Sequence, residues 1–291
     1  MTRTDTHLHL WDLRVSDYAW LPEGPLRRTF TAGEAKSELD AAGIGSAILV
    51  QAEDSEVDTG FLLGQAAAHD WIAGVVGWIR LDEPATAQRQ LERWQGNPAL
   101  SGVRHLVHDD PRDEFLELPT VRRSLSLVAE HGLPFDVPDA WPRHLARTAE
   151  LADALPELTI IVDHLGKPPR APDAFASWRS TMRDVAARPN TVAKLSGLQL
   201  PGEPFTVAAV RPAVEASFEL FGQDRLMYGG DWPMTVHFGG YGPAWKIYSA
   251  LLGELSENER TAVLSTTAAT VYGIGRRGAT VSRHQARPPR R

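Results

Sequence analysis

The chain has 291 residues, a net charge of −7, an apolar fraction of 43%, a charged fraction of 23% and no cysteine. The acidic balance argues against a nucleic-acid or anionic-membrane partner for the body of the chain. Without thiols, disulfides, thiolate nucleophiles and cysteine-held zinc or iron–sulfur centres are excluded, so any metal must be held by His, Asp or Glu.

The first stretch, Asp5-Thr6-His7-Leu8-His9-Leu10-Trp11-Asp12, reads as a strand. Its two histidines are two apart and point to one face, with backbones about 6–7 Å apart, so both rings can lean onto one ion. The same pattern also describes two inert histidines on a half-buried strand. Residues 11–30 carry Tyr18, Trp20, Pro22 and Pro25 without any period, an irregular segment whose aromatics either line a pocket or cover an edge of the fold. Thr31 with Glu34 makes a capping box for a helix to about Ala42, stopped by Gly43 and Gly45. A buried strand, Ser46 to Gln51, follows.

The alternation then repeats. Helices are expected over Val57–His69, Pro84–Gln95, Thr120–His131, Pro142–Leu155, within Pro172–Ala187, and over Val207–Phe221. The strands between them are Ile72–Ile79, Gly102–Leu106, Pro134–Val137, Leu158–His164, Thr191–Ser196 and Arg225–Gly229. A closing helix runs from about Glu254 to Tyr272. Eight short apolar strands separated by helical segments predict an α/β fold, a single (β/α)8 barrel over residues 1–275. A doubly wound sheet fits less well, because no glycine-rich phosphate fingerprint follows any strand. Residues 276–291 carry Arg276, Arg277, Arg283, Arg287, Arg290 and Arg291 with no carboxylate, a basic tail expected to be disordered. Neither a secretory leader nor a membrane span is expected, which makes the cytoplasm the default compartment.

In such a barrel the active site lies at the C-terminal ends of the strands. Polar residues gather there: His7 and His9 on the first strand, Arg104 on the fourth with His105 and His108 after it, and Asp136 on the fifth. Asp163-His164 end the sixth, Lys194 and Ser196 lie on the seventh, and Asp231 follows the eighth. Burying such groups at the ends of apolar strands is costly without a task. Lys194 and Asp136 are also candidates for a mutual ion pair, Asp231 for a helix cap, and Arg104 for a structural ion pair. His105 should face the helices, and His69, His131, His144 and His284 read as surface residues. The pair Gly229-Gly230 before Asp231 suggests close backbone approach. No GxSxG elbow is present, so serine-triad chemistry is a poor match.

The segments DTHLHLWD, GVRHLV, VDHLGKPP, AKLSGL and RLMYGGDWP, in this order, resemble the amidohydrolase superfamily. The likeness is strongest to its amidohydrolase-related branch of sugar lactonases, which includes L-fuconolactonase-like and L-rhamnonolactonase-like enzymes and the pyrone-dicarboxylate lactonases. The resemblance extends to about Tyr272 and implies a (β/α)8 barrel that hydrolyses a cyclic ester. It marks His7, His9, His164 and Asp231 as site positions, able to hold one divalent ion such as zinc or manganese. Arg104 matches an arginine that binds substrate in some members. The carboxylated lysine that bridges two metals in many superfamily members has no counterpart on strand four, so a binuclear centre is not expected; some lactonases of the branch are thought to work with no metal.

The expected reaction is lactone hydrolysis of a sugar acid or related small acid. Asp231 serves as general base, with His164 and Arg104 stabilising the oxyanion. Trp11, Trp232 and Lys194 are candidate substrate contacts, and His237 is a candidate for a substrate hydroxyl. The expected partner is a small lactone or sugar acid, and no organic cofactor is implied. Two rivals stay open at this point: a decarboxylase of an aromatic or dicarboxylic acid on the same barrel, and a sugar-acid binding barrel whose catalysis has decayed.

Overall fold

In the computed structural model, which describes residues 2–274, eight parallel strands form one sheet in the order β1 to β8. They are β1 (Thr4–Leu8), β2 (Ser46–Val50), β3 (Ile72–Gly77), β4 (Leu100–Arg104), β5 (Phe135–Val137), β6 (Ile160–Val162), β7 (Thr191–Leu195) and β8 (Leu226–Tyr228). Between them run α1 (Ala32–Ala42), α2 (Glu56–Ala68), α3 (Pro84–Trp94), α4 (Pro119–Glu130), α5 (Leu145–Ala154), α6 (Pro172–Ala186) and α7 (Val207–Phe221). This is the (β/α)8 barrel. The basic tail lies outside the described residues.

Local chemistry accounts for the element starts. Thr31 and Glu34 form the reciprocal capping box at α1, and Ser256 with Glu259 repeats it at the closing helix. Pro84 occupies the first turn of α3, where its missing N–H leaves no bond unmade. α5 starts three residues later than expected, at Leu145, and this changes the place of His144. His144 is fully buried rather than at the surface. The loop after β4 closes over this region, held by Arg143, whose guanidinium donates to the carbonyls of His108 and Asp110.

One helix escapes the sequence pattern altogether. Tyr241–Leu252 forms α8, opened by Gly240 without a side-chain cap and carrying Pro243 in its first turn. The chain then continues through α9 (Glu257–Thr261), a π turn (Ala262–Thr266) and α10 (Thr267–Val271), where one unbroken helix was expected. No helix among the described residues is long and apolar enough to cross a membrane.

The barrel interior has two levels. Ile48, Val50, Val76, Ile161, Val192 and Met227 form an apolar cluster closed by Tyr272, each buried aliphatic chain stabilising by about 1.5–3 kcal/mol. The Tyr272 hydroxyl donates to Asp136 Oδ2 at 3.2 Å and so joins this cluster to a charged layer. In that layer Lys194 Nζ lies 2.5 Å from Asp136 Oδ2 and 3.0 Å from Asp163 Oδ1, all three side chains fully buried.

Residues 11–30 cover one edge of the barrel mouth. Trp11 and Phe30 form an antiparallel bridge, and their rings meet edge to face at 5.0 Å. Tyr18 donates to Asp58 Oδ1 at 2.9 Å, pinning the segment to α2.

Candidate active site

The barrel closes where its chemistry collects. Beyond the end of β8, the Asp231 N–H donates to the His7 carbonyl and the His9 N–H donates to the Trp232 carbonyl, both at 2.7 Å. These bonds need close backbones. A Cβ on Gly229 would lie 2.6 Å from His7 Cβ, and one on Gly230 would lie 2.5 Å from Asp5 Oδ2. Asp5 completes the seam: its Oδ1 accepts from the His7 and Gly230 N–H groups, and its Oδ2 from the Tyr241 hydroxyl.

Each imidazole is oriented by a partner. His9 Nδ1 sits 2.8 Å from the Val50 carbonyl, which can only accept, so Nδ1 carries a proton, and Nε2 lies 3.6 Å from Asp231 Oδ1. His7 Nδ1 lies 3.3 Å from Asp163 Oδ1, while its Nε2 lies 3.3 Å from the Arg104 guanidinium. Burial, the largest influence on His7, holds it well below the ordinary histidine value, so it is neutral. His164 Nδ1 lies 2.9 Å from Ser196 Oγ, and its ring packs 4.4 Å from that of His7. A Cβ on Gly197 would lie 2.2 Å from His164 Nδ1, which explains the glycine at that left-handed position.

Asp231 is buried in the left-handed region at φ 53, an uncommon backbone conformation for a residue that is not glycine. Its Oδ2 accepts from Gln199 Nε2 at 2.7 Å. Burial alone would raise its pKa, but the nearby imidazoles, led by His164, and Lys167 hold it far below the usual carboxylate range. Asp163 is likewise held down, burial being outweighed by Lys194 and His7. Burial pushes Asp136 up to about 7.

Ligating atoms of His7, His9 and Asp231 all lie within 4.8 Å of one another. Two imidazole nitrogens and one carboxylate oxygen suit a zinc-type ion; the Val50 carbonyl provides the outer-shell hydrogen bond to His9, and Asp163 Oδ1 stands 3.3 Å from His7 Nδ1. His164, expected among the ligands, stands beside this group rather than in it.

A cavity of about 490 Å³ opens above these residues, lined by His9, Arg104, His164 and Asp231 at its base and by His237 at its mouth. Three expected substrate contacts are placed elsewhere. Trp11 is fully buried against Phe30 and donates to the Arg28 carbonyl. Trp232 packs on Phe30 at 5.2 Å, and Lys194 lies beneath His7, 3.2 Å from its Nδ1. His105 stacks on Phe115 at 4.3 Å, as its alternation with Arg104 requires. Sequence reasoning passed over Gln199 and Asp139, which line the cavity after β7 and β5. Their position just past strand ends was the available signal.

Comparison with known proteins gives this geometry its relatives. The amidohydrolase family matches residues 4–274. An L-fucono-1,5-lactonase of Burkholderia ambifaria is 31% identical over 94% of this chain and 96% of its own length. Another L-fucono-1,5-lactonase, from Burkholderia multivorans, is 30% identical over 94% of this chain and 96% of its own length. A crystal structure of a Burkholderia multivorans amidohydrolase with bound zinc superposes with a TM-score of 0.86 at 30% identity, covering 94% of this chain and 100% of that one. On this match over nearly its whole described length, the chain belongs to the amidohydrolase family.

Proposed function

We propose that this chain opens the lactone ring of a sugar acid by water attack, with Asp231 as general base. The observation that carries this reading is the placement of Asp231. It is a buried carboxylate at the end of β8, steadied at Oδ2 by Gln199 and sharing one cavity with Arg104 and His164. The two Burkholderia relatives named as lactonases support the substrate class.

Asp231 accepts a proton from water as the water oxygen bonds to the ester carbonyl carbon. The negative charge that develops on the carbonyl oxygen is met by Arg104 and by His164. In the tautomer this role requires, Nδ1 of His164 accepts from Ser196 Oγ, 2.9 Å away, and Nε2 carries the proton that is donated. Collapse breaks the ring C–O bond, and Asp231 returns its proton to the leaving alkoxide. One carboxylate suffices because both groups stay on one product, a hydroxy acid that releases a proton to solvent as it ionises. His7, His9 and Asp231 would hold a single divalent ion, zinc or manganese, which when bound supplies Lewis-acid polarisation and lowers the pKa of water.

A pH-indicator assay over a panel of 1,5- and 1,4-sugar lactones tests the reading. Acid release above the spontaneous rate with wild type, and not with Asp231→Asn, is the expected outcome. Turnover retained by Asp231→Asn would remove the assigned base.

A further inference from the structure

Away from Asp231, the cavity wall carries polar side chains that the reaction above does not use. Asp139 sits on the turn after β5 at φ 44, and its buried Oδ1 has no hydrogen-bond partner among the described residues. Lys167 follows the His164 turn at φ 63, with its Nζ 3.9 Å from Asp139 Oδ1, outside hydrogen-bond reach. His108 Nδ1 is also buried without a partner, and its Nε2 lies 3.7 Å from Asp109 Oδ2. All three residues line the same cavity as Asp231.

Two left-handed backbones that are not glycine, both aiming charged side chains at one cavity, are the kind of strain that persists at ligand sites. Polar groups buried without partners cost stability unless a ligand completes them. The trio offers one anion, one cation and an imidazole that burial keeps neutral. Its net charge is therefore zero. Arg104, the other cation on the wall, lies beside Asp163 and is the group that the reaction above uses at the substrate carbonyl. A substrate bearing carboxylates would meet Asp139 with no free positive charge in surplus. A hydroxyl is both donor and acceptor, so neighbouring ring hydroxyls can donate to Asp139 and accept from Lys167.

We infer that Asp139 and Lys167, with His108 beside them, form the subsite that holds the hydroxyls of a neutral, polyhydroxylated lactone ring. This rests on the lactonase reading above and narrows it to uncharged sugar lactones.

The test is calorimetric binding of a polyhydroxylated δ-lactam, which keeps the ring and hydroxyls but resists opening, against unsubstituted δ-valerolactam. Wild type should prefer the hydroxylated ring, and Asp139→Asn and Lys167→Met should each cut that preference by about 10–100-fold, the worth of a hydrogen bond to a charged group. Asparagine tolerates the left-handed backbone, so Asp139→Asn should keep the wild-type far-UV spectrum and melting temperature within a few degrees. An unchanged preference in both variants overturns the subsite, as does a wild type that binds a carboxylate-bearing lactam more tightly or binds neither lactam. Binding and ring opening are read separately. A wild type that prefers the hydroxylated lactam yet opens no lactone keeps the subsite and sinks the lactonase reading. One that opens lactones while both variants keep its preference does the reverse.

Discussion

The backbone N–H of Asp231 donates to the carbonyl of His7 at 2.7 Å, and with its companion from His9 to Trp232 it joins the last strand to the first. The bond that closes the barrel is therefore also the bond that sets the carboxylate beside the imidazole pair. Stability of the seam and geometry of the site are one property here, and substitutions at the seam should move both.

Gly230 tests that coupling. A Cβ there would meet Tyr241 at 2.3 Å and Asp5 Oδ2 at 2.5 Å, whereas one on Gly242 meets nothing within 4 Å. Gly230→Ala should lose about 1–3 kcal/mol in denaturant unfolding, with activity falling alongside, through forced displacement of the seam. Gly242→Ala should match wild type in both. Equal behaviour of the two variants would separate the seam from the site.

Gln199 acts on the reaction through Asp231. Gln199→Leu removes the donor at Oδ2, so kcat should drop by about tenfold while KM changes little, because carboxylate orientation matters more in the transition state than in substrate binding. Steady-state kinetics reads the split. A rise in KM at constant kcat would instead make Gln199 a substrate contact.

Asp58 holds the aromatic segment to the barrel, accepting from the Tyr18 hydroxyl and the Ala52 N–H, and burial raises its pKa to about 6. A raised carboxyl contributes stability that is fully present below its unfolded value near 4 and is lost as pH climbs through 6. Asp58→Asn removes that dependence. Relative to wild type it should gain on the order of 3 kcal/mol between pH 4 and pH 7, measured as unfolding free energies at both pH values. A difference independent of pH would show that Asp58 does not titrate in this window.

Ion binding rests on His7, His9 and Asp231. Zinc affinity, read by competition with a chromophoric chelator, should weaken at least about tenfold in His9→Ala, because a three-ligand site loses one of its two imidazoles. His105→Ala, which removes a ring stacked on Phe115 outside the group, should leave zinc affinity unaltered. An equal loss in both variants would place the ion elsewhere.

The repeat of strand and helix was readable because parallel strands buried on both faces are short apolar runs, and because Thr31 and Pro84 mark helix starts chemically. His7 and His9 declared themselves by period, and Gly229-Gly230 by the close approach it permits. The aromatics and Lys194 were misplaced for a different reason. Local pattern shows that Trp11 and Trp232 lie near the mouth, but not that Phe30 draws both into packing. Lys194 sits at a strand end, yet its length lets it reach beneath His7 to two carboxylates. Gln199 and Asp139 carry no motif. Their roles arise from tertiary placement, through the turn after β7 and a left-handed backbone that propensity alone does not predict for aspartate. α8 was hidden by Gly240, Gly242 and Pro243, which read as loop residues although proline is tolerated in a helix's first turn.

The most direct measurement follows acid release from a neutral 1,5-sugar lactone at pH 7, comparing wild type with Asp231→Asn, while assaying CO₂ release from aromatic and dicarboxylic acids in parallel. The account predicts lactone opening by wild type, a fall in kcat of at least about two orders of magnitude in the variant with its fold intact, and no CO₂ from either protein. CO₂ evolution without lactone opening, or near-normal lactone turnover by Asp231→Asn, would contradict it.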